Sequence, residues 1–438
     1  MMSPVPKEWT SDRLKDVSAI NASSLPANTD ADYEFDYLEI SNVNYHGIVD
    51  PKVIERLRYE DAPSRARRRL ARNCTAISSV RPNLQAITFI ENAPDDLVCS
   101  TGFNVVQPTG HKLSPKFAYY SLLADGARQY FEATAKGVGY PAVDDKDFQS
   151  FSVSLPPLPE QQRITAYLDA SCAAIDAAVA AKRRQLETLD ALRKSIIQRA
   201  VTRGISEGVT LESTGNAWME QIPQGWKLVC LKRIAEIQGG LALGKQYEGP
   251  LIERPYLRVG NVQDGHLDLA DVSVIELPAS VAKGVELRPG DVLMTEGGDL
   301  DKLGRGHVWK GEIPGCLHQN HIFAVRCFLH KLKPMFLAYV TAAKYGRDYF
   351  EATGKKTTNL ACTNATKVGE FPIPLPRVTE QDAICAYLEK KLGEVKAIVT
   401  GIETQIATLT TYRKSLIHEC VTGQRRITEH DTSNLMLT

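Results

Sequence analysis

Residues 160–168 read EQQRITAYL and residues 380–388 read EQDAICAYL, so one segment occurs twice at an offset of 220 positions. The match continues without a gap to residues 201 and 421, and it includes RKS at 193–195 and again at 413–415. Each copy follows a proline-rich stop, LPPLP at 155–159 or PLP at 374–376, which ends a strand and leaves a glutamate in the first helical turn. The two segments therefore predict a pair of long, related helices.

Both predicted helices carry apolar residues at heptad spacing, which is typical of a coiled-coil packing face. In the second helix the stripe consists of Leu388, Leu392, Val395, Val399, Ile402, Ile406, Leu409 and Leu416. In the first helix it consists of Leu168, Ile175, Val179, Leu186, Leu189 and Ile196. Lys182 stands where the second copy has Ile402, which predicts an exposed or register-setting layer there. We expect the two helices to pack on each other.

The duplication extends upstream of the helices. The run YFEAT occurs at residues 130–134 and 349–353, and shorter matches reach the front of each half. The order is therefore head, helix, head, helix. We expect a first head at 1–155, a first helix at 156–203, a linker at 204–222, a second head at 223–375, a second helix at 376–423 and a tail at 424–438.

The heads differ in pattern from the helices. They contain short, β-branched segments bounded by Gly, Pro, Asn or Asp, which predict strands of a twisted sheet. These segments are 37–43, 75–80, 86–90, 97–106, 272–277, 291–295 and 321–328. The expected fold class is α/β (α+β), with two mixed α/β heads separated by two long helices in a pseudo-two-fold repeat.

Composition limits the function classes. Lys plus Arg and Asp plus Glu both number 52, so any basic surface must be local. The nine cysteines show no paired metal-ligand spacing, which favours reduced thiols in a cytoplasmic protein. No signal sequence and no membrane-spanning stretch are expected, since the most apolar segment, 173–181, is short and interrupted by Asp176. His318 and His321 lack a third ligand, so no metal site is predicted.

The order head, helix, head, helix resembles that of the specificity subunit of type I restriction-modification enzymes. The local runs APSRARR at 62–68 and VRPN at 80–83 in the first head resemble target-recognition domains of that family. In the second head the runs GDVL at 290–293, EGGDLDKLGRG at 296–306 and QNH at 319–321 do so as well.

The resemblance implies that each head reads one half of a split, non-palindromic site on double-stranded DNA, and that the helices pair antiparallel as a spacer. Two modification (methyltransferase) subunits would dock on the helices, and restriction subunits would join the larger assembly. The chain itself would be non-catalytic and without a cofactor. S-adenosylmethionine, ATP and Mg would be bound by the partner subunits.

Candidate DNA-binding residues combine positive charge with groups that read base edges, because arginine forks onto phosphate or guanine and asparagine suits adenine. In the first head they are Arg65, Arg67, Arg68, Arg69, Arg72, Arg81, Asn83, Lys136 and Tyr140. In the second head they are Lys302, Arg305, His318, Asn320, Lys355, Lys356, Thr357 and Asn359. The loops at 136–140 and 355–359 follow the shared YFEAT runs, and this paired position is the reason for choosing them.

Two other classes of function remain open at this point. One is an enzyme, such as a nuclease, with two catalytic heads flanking a dimerisation coil. It would need acids repeated in both heads, and the strongest, Glu132/Glu351 and Glu160/Glu380, lie in helical contexts that look structural. The other is a scaffold that does not bind DNA.

Overall fold

The computed structural model describes residues 6–43, 54–263, 265–298, 303–304, 306–356 and 361–435. The elements of the first part of the chain are β1 (Thr10–Arg13), α1 (Leu14–Val17), β2 (Ser18–Ile20), β3 (Glu34–Leu38), β4 (Glu55–Arg58), β5 (Ala66–Arg69), β6 (Cys74–Ser78), β7 (Ile87–Ile90), β8 (Leu97–Ser100), β9 (Phe103–Pro108), α2 (Pro115–Leu123), α3 (Asp125–Thr134), α4 (Asp145–Ser150), β10 (Ser152–Leu155) and α5 (Leu158–Arg203).

The elements that follow are β11 (Leu211–Asn216), β12 (Met219–Pro223), β13 (Lys227–Cys230), β14 (Ala235–Gly239), β15 (Ile252–Leu257), β16 (Ser273–Leu277), α6 (Ala279–Val285), β17 (Val292–Thr295), β18 (Gly297–Gly298), β19 (Gly306–Val308), β20 (Leu317–His318), β21 (Ile322–Cys327), α7 (Pro334–Ala342), α8 (Lys344–Thr353), β22 (Lys355–Lys356), β23 (Ala361–Cys362), α9 (Ala365–Glu370), β24 (Pro372–Leu375), α10 (Val378–Val421) and α11 (Glu429–Leu435).

The chain forms two compact units. Unit 1 comprises Met1–Arg183 and Glu403–Thr438, and unit 2 comprises Arg184–Ile402. The division falls inside α5 and α10, not at the ends of the heads. Each unit therefore contains one head, the half of α5 or α10 that follows it directly, and half of the other helix.

Unit 1 is built on two four-stranded sheets. One has the strand order β4-β3-β8-β5 and the other the order β2-β9-β6-β7. The β3–β8 pair is parallel and the other pairs in these two sheets are antiparallel. The expected mixed α/β head is confirmed. The segment 97–106 is two strands, and the segment 37–43 leaves the strand after Leu38 for a 3₁₀ turn at Ile40–Asn42.

Unit 2 repeats this scaffold. Its larger sheet has the order β14-β21-β17-β19, and β15 pairs antiparallel with β16 and parallel with β20. These strands correspond one by one to those of unit 1. The exception is β5, the arginine-rich strand, in whose place unit 2 has a single antiparallel bridge between Glu286 and Leu317. The heads therefore share a framework and differ on one sheet edge.

In unit 1, α5 and α10 pack antiparallel through the expected stripe. Leu168, Ile175 and Val179 share one buried cluster with Leu416, and the half-buried Leu409 packs against that cluster. Asp176 pairs with Arg413 at 3.2 Å, and Lys182 bonds to Gln405. The residue numbers fall in α10 as they rise in α5, which defines the antiparallel direction. Lys182, which stands where the second copy has Ile402, thus makes a polar contact between the two helices.

In unit 2 the two helices also pack through their apolar stripes. Leu388 lies in the main buried cluster, and Ile196 packs against it. Val395 is buried, whereas Leu189 and Ile402 are only half-buried. The middle of the two helices is therefore covered less completely by this chain than their ends.

One helix, α5, is long and apolar enough to cross a membrane by length and composition alone, with a mean hydropathy of 1.3 over an 18-residue window. The expectation that no stretch approaches this composition was wrong. Part of the reason lies in the heptad stripe, since Leu168, Cys172, Ile175 and Val179 are buried against α10 in unit 1. Buried helices of water-soluble cores have this composition as well.

The segment expected to be a linker is a β-hairpin. Strands β11 and β12 pair antiparallel, and Met219 and Ile222 are buried in the core of unit 2. The tail behaves similarly, because Ile427 is 3% exposed in the core of unit 1. One or two buried apolar residues among polar neighbours thus dock each segment.

The Glu-Gln pair that opens each helix is structural. The amide of Gln161 accepts the N–H of Ser114 at 2.8 Å and donates to the carbonyl oxygens of Lys112 and Pro156 at 2.7 and 2.8 Å. Gln381 makes the equivalent three bonds to Lys333, Lys331 and Pro376. Both glutamines are fully buried, so each one fastens the start of its helix to its head.

Candidate DNA interface

Strand β5 presents two arginines on tyrosine rings. The guanidinium carbon of Arg67 lies 4.4 Å from the centroid of Tyr59, and that of Arg69 lies 5.9 Å from the centroid of Tyr33. Residues two apart in a strand share a face, which is why both arginines find an aromatic neighbour on the same side. Stacking limits the motion of the side chains while leaving their N–H groups available. The tyrosines were not among the predicted residues; Tyr59 lies close to the arginine run in sequence, whereas Tyr33 is brought to it by the fold.

Arg68 points the other way and is a correction to the sequence prediction. Its guanidinium donates to the carbonyl oxygen of Phe103 and, at 3.2 Å, to Oδ1 of Asn104. Burial lowers the pKa of Arg68. It therefore holds the two sheets of unit 1 together and does not present its charge to a duplex.

Arg65 and Arg72 flank the strand. Arg65 forms an ion pair with Glu39, with 58% of its side chain exposed. Such a surface pair contributes little energy, so the pairing leaves Arg65 able to exchange a carboxylate for a phosphate. Arg72 is exposed and, together with Arg69, lines an open cavity of about 370 Å³ that also includes Asp95.

The neighbouring strand β4 behaves differently. Arg56 is held by Glu34, Asp36 and Asp96 at 3.3, 3.1 and 2.7 Å. Three carboxylates around one guanidinium make this part of the surface acidic. The arginines suited to phosphate are therefore Arg67 and Arg69 of β5, with Arg65 and Arg72 on its flanks.

A second candidate surface of unit 1 is formed by two loops, which bring together two of the predicted groups. The guanidinium carbon of Arg81 lies 4.4 Å from the ring centroid of Tyr140. The N–H of Arg81 donates to the carbonyl oxygen of Pro141 at 2.7 Å, and Lys136 and Ala142 exchange backbone bonds of 2.8 and 2.9 Å. The loop that follows the YFEAT run is thus a small hairpin, fastened to the loop that carries Arg81.

The tips of these loops expose apolar side chains. Tyr140 is 72% exposed, Val138 wholly exposed and Leu84 52% exposed, and Asn83 beside them is also exposed. Arg81 has a φ of 50°, a left-handed conformation that non-glycine residues adopt at some energetic cost and that is enriched at binding sites. An arginine, an asparagine and a free aromatic ring at one tip can bond to base edges and stack on a base.

Lys136 supports this loop rather than projecting a free charge. Its Nζ lies 2.6 Å from Asp144 and 3.4 Å from Asp147. The hydrogen bond to Asp144 raises the pKa of Lys136, so it stays charged with its charge balanced locally. Its contribution to a phosphate contact would require breaking both pairs.

Unit 2 has the equivalent hairpin after its own YFEAT run. Strand β22 pairs with β23, which pairs in turn with β18 at Gly297–Gly298. Lys355 is exposed at the start of this hairpin. The predicted residues Lys302, Arg305, Thr357 and Asn359 lie outside the described residues, as does the side chain of Lys356.

His318 and Asn320 lie beside the core of unit 2. The ring of His318 is fully buried, its Nδ1 is 3.0 Å from the carbonyl oxygen of Val285, and burial lowers its pKa. A buried ring cannot contact a duplex without movement of β20, so the assignment of His318 to DNA is corrected. Asn320 is half-exposed, and the adjacent His321 bonds through Nδ1 to Glu296 at 2.8 Å. Within the described residues, no cluster of three metal-ligating side chains occurs.

Comparison with known proteins identifies the architecture. Residues 6–188 match the family model described as the type I restriction modification DNA specificity domain. The MjaVIII specificity subunit of Methanocaldococcus jannaschii is 25% identical over 320 residues, which cover 71% of this chain and 70% of that subunit. The EcoKI specificity subunit of Escherichia coli is 22% identical, with 68% of this chain and 62% of that subunit covered.

Two solved structures share the fold. A chain of a structure described as the basis of complex assembly and conformational transition of the type I R-M system superposes with a TM-score of 0.75 at 22% identity, covering 97% of this chain and 100% of that one. The HsdS subunit of Thermoanaerobacter tengcongensis has a TM-score of 0.55 at 21% identity, covering 97% and 99%. The duplicated heads, the paired helices and these matches make the chain similar to the DNA specificity subunits of type I restriction-modification systems, and residues 6–188 match the specificity domain itself.

Proposed function

We propose that this chain is the sequence-reading subunit of a type I restriction-modification complex, in which each head reads one half of a bipartite, asymmetric site on duplex DNA. The observation that carries the proposal is the contrast between the heads. They share strand order and a loop hairpin, yet the arginine strand β5 of unit 1 is replaced in unit 2 by a bridge at Glu286. Equal frameworks with different surfaces suit two different half-sites.

The long helices supply the remaining part of the proposal. Their ends are buried in the two units, while Leu189 and Ile402 in the middle stay half-buried. Two modification subunits dock along these helices, and restriction subunits join that complex. Repeated surfaces present equivalent docking sites to two copies of one partner.

The chain acts without a catalytic site of its own in this proposal. S-adenosylmethionine, ATP and Mg belong to the partner subunits, and the complex works in the cytoplasm. The acids repeated in both heads support this interpretation, because Glu160 and Glu380 each accept an indole N–H and Glu132 pairs with Arg128 at 3.0 Å. Groups committed to packing in this way are poorly placed to hold a catalytic metal.

Selection of bound sequences tests the proposal. The chain is reconstituted with its modification subunit, mixed with random duplexes, and the retained DNA is sequenced. The expected product is one motif with two different halves and a fixed gap. A single contiguous motif, or none, would overturn the proposal.

A loop variant sharpens that experiment. The double variant R81A/Y140A removes the side chains at the loop tips of unit 1, so the motif should lose information in one half only. The variant Lys355→Ala in unit 2 is the matched comparison and should affect the other half. Loss of information in the same half from both variants would contradict the assignment of one head to each half-site.

A further inference from the structure

Unit 1 contains a cavity of about 360 Å³ at the end of α10. Gly126 of α3, Phe151 and Ser152 at the start of β10, and His418 of α10 contribute to its wall. Tyr130 of the YFEAT run and Ser121 of α2 line it as well. The cavity lies on a different part of unit 1 from the arginine strand and the loop tips.

In unit 2 a tyrosine lies at the position that corresponds to Gly126. Helices α3 and α8 have ten residues each and end in the same YFEAT run, so Tyr345 occupies the position of Gly126. Its ring stacks on Phe371 with centroids 5.5 Å apart, and its hydroxyl donates to the carbonyl oxygen of Pro372 at 2.6 Å. Phe371 and Pro372 correspond to Phe151 and Ser152, two residues of the cavity wall in unit 1.

Neither the backbone nor crowding requires glycine at position 126. A Cβ atom built there would approach only His418 Cε1, at 3.8 Å, which is an ordinary contact. The φ of Gly126 is also outside the left-handed region that favours glycine. Position 126 therefore leaves room for a side chain to enter the cavity, at the place where unit 2 carries the ring of Tyr345.

Two polar atoms of the wall have no hydrogen-bond partner among the residues that the structure describes. They are Oγ of Ser121, a residue only 7% exposed, and Nδ1 of His418. In unit 2 the corresponding positions hold Val340 and Gln198, and Oε1 of Gln198 accepts the N–H of Tyr345 at 2.9 Å. Buried polar atoms are normally paired, so unit 1 has polar groups facing a largely apolar space.

We propose that the cavity at Gly126 is a binding site for a phenolic ring that enters from outside this chain and takes the place that Tyr345 fills in unit 2. The ring stacks on Phe151, and its hydroxyl bonds to the carbonyl oxygen of Ser152 or to Ser121. The ligand is either a free phenol or the tyrosine side chain of another molecule, since both offer the same group. This site goes beyond the DNA-reading role and does not depend on it.

Binding of p-cresol to the full-length chain tests the proposal, by calorimetry and by chemical-shift mapping of amide signals. We expect saturable binding, with the largest shifts at residues of the cavity wall. The variant Gly126→Tyr supplies the missing ring covalently and should bind p-cresol at least ~10-fold more weakly. The matched control Gln129→Tyr places a tyrosine on the exposed side of the same helix and should bind like the wild type.

Two further ligands define the chemistry. Toluene lacks the hydroxyl and should bind about fivefold more weakly than p-cresol, as expected for one lost hydrogen bond. N-acetyltyrosinamide tests the source, because binding of both phenols indicates a tyrosine-bearing partner and binding of p-cresol alone indicates a free phenol. Absence of saturable p-cresol binding, or unchanged binding in Gly126→Tyr, would overturn the proposal. Should Gly126→Tyr fail to fold, shifts in the wild type located away from the cavity would overturn it equally.

Discussion

The indole Nε1 of Trp226 donates a hydrogen bond to Oε1 of Glu380 at 3.0 Å. The same bond occurs in unit 1, where Trp9 donates to Glu160 at 3.2 Å. Each tryptophan immediately precedes the first strand of its head, and each glutamate lies in the first turn of the helix that follows that head. The bond therefore joins the start of the head to the start of its helix. Strands β1 with β10, and β13 with β24, pair beside it.

Replacing Glu380 by alanine should destabilise unit 2. The indole N–H, part-buried at this junction, would lose its acceptor, which costs about 1–3 kcal/mol in the free energy of unfolding. Differential scanning calorimetry of the full-length chain measures the change. Glu389→Ala, at an exposed site of the same helix, is the control and should shift that free energy by less than about 0.5 kcal/mol. Equal effects of the two variants would contradict a specific role for the bond.

Alanine variants of Arg72 and Arg68 should distinguish a residue that contacts DNA from one that supports the fold. Arg72→Ala removes an exposed charge, so the assembled complex should lose affinity and the slope of log K against log salt should fall by about 0.9, with the thermal midpoint unchanged. Arg68→Ala leaves the Phe103 carbonyl unpaired and should instead lower the free energy of unfolding by about 1–3 kcal/mol.

Arg13→Ala is the control for both, because this exposed residue on β1 pairs only locally with Asp16 at 2.8 Å. Its salt slope should match that of the wild type. An unchanged slope in Arg72→Ala would remove Arg72 from the interface, and an unchanged stability in Arg68→Ala would remove the structural assignment of Arg68.

Tyr140 should act through its ring. It is 72% exposed with Arg81 stacked on it, so Tyr140→Ala removes a stacking surface and should weaken DNA binding by about 1–3 kcal/mol. Tyr140→Phe keeps the ring and should retain nearly full affinity. Fluorescence anisotropy of the assembled complex on its cognate duplex measures both. If the phenylalanine variant were as weak as the alanine variant, the hydroxyl and not the ring would make the contact.

The helices and the repeat could be predicted from the sequence because their signal is periodic. Heptad spacing places Leu168 and Leu416 on apolar stripes independently of how the heads fold, and both residues are buried in the structure. The strands of the heads were predictable for a related reason, since short β-branched runs between turn residues are typical of strands. The matched loops after the YFEAT runs followed from the repeat.

Side-chain direction and docking were not predictable in the same way. A run of arginines does not reveal that Arg68 turns inward between two that turn outward, because the alternation of a strand leaves open which of its two faces is buried. The polar composition of residues 204–222 concealed the hairpin that Met219 and Ile222 anchor. His318 lies beside polar residues in the sequence, yet strand pairing with Leu257 places it in the core.

The burial of His318 makes the stability of unit 2 depend on pH. Nδ1 faces the carbonyl oxygen of Val285 and must carry the proton, while Nε2 has no partner among the described residues. Burial lowers the pKa of His318 in the folded state, so the unfolded chain binds the extra proton first as pH falls. Stability is therefore intact above the unfolded pKa of about 6.5 and declines as pH drops from there towards the lowered folded pKa, by up to about 1.4 kcal/mol per pH unit.

Denaturant unfolding at pH 7.5 and pH 5.0 checks this dependence. The half-buried His307, whose pKa burial also lowers, contributes in the same direction, so one substitution should remove only part of the slope. His318→Cys copies Cys99, which is buried at the corresponding position of unit 1, and should lose less stability on acidification than the wild type. His330→Asn, at an exposed site, should follow the wild type. An equal decline in His318→Cys and in the wild type would show that the buried ring does not govern the acid response.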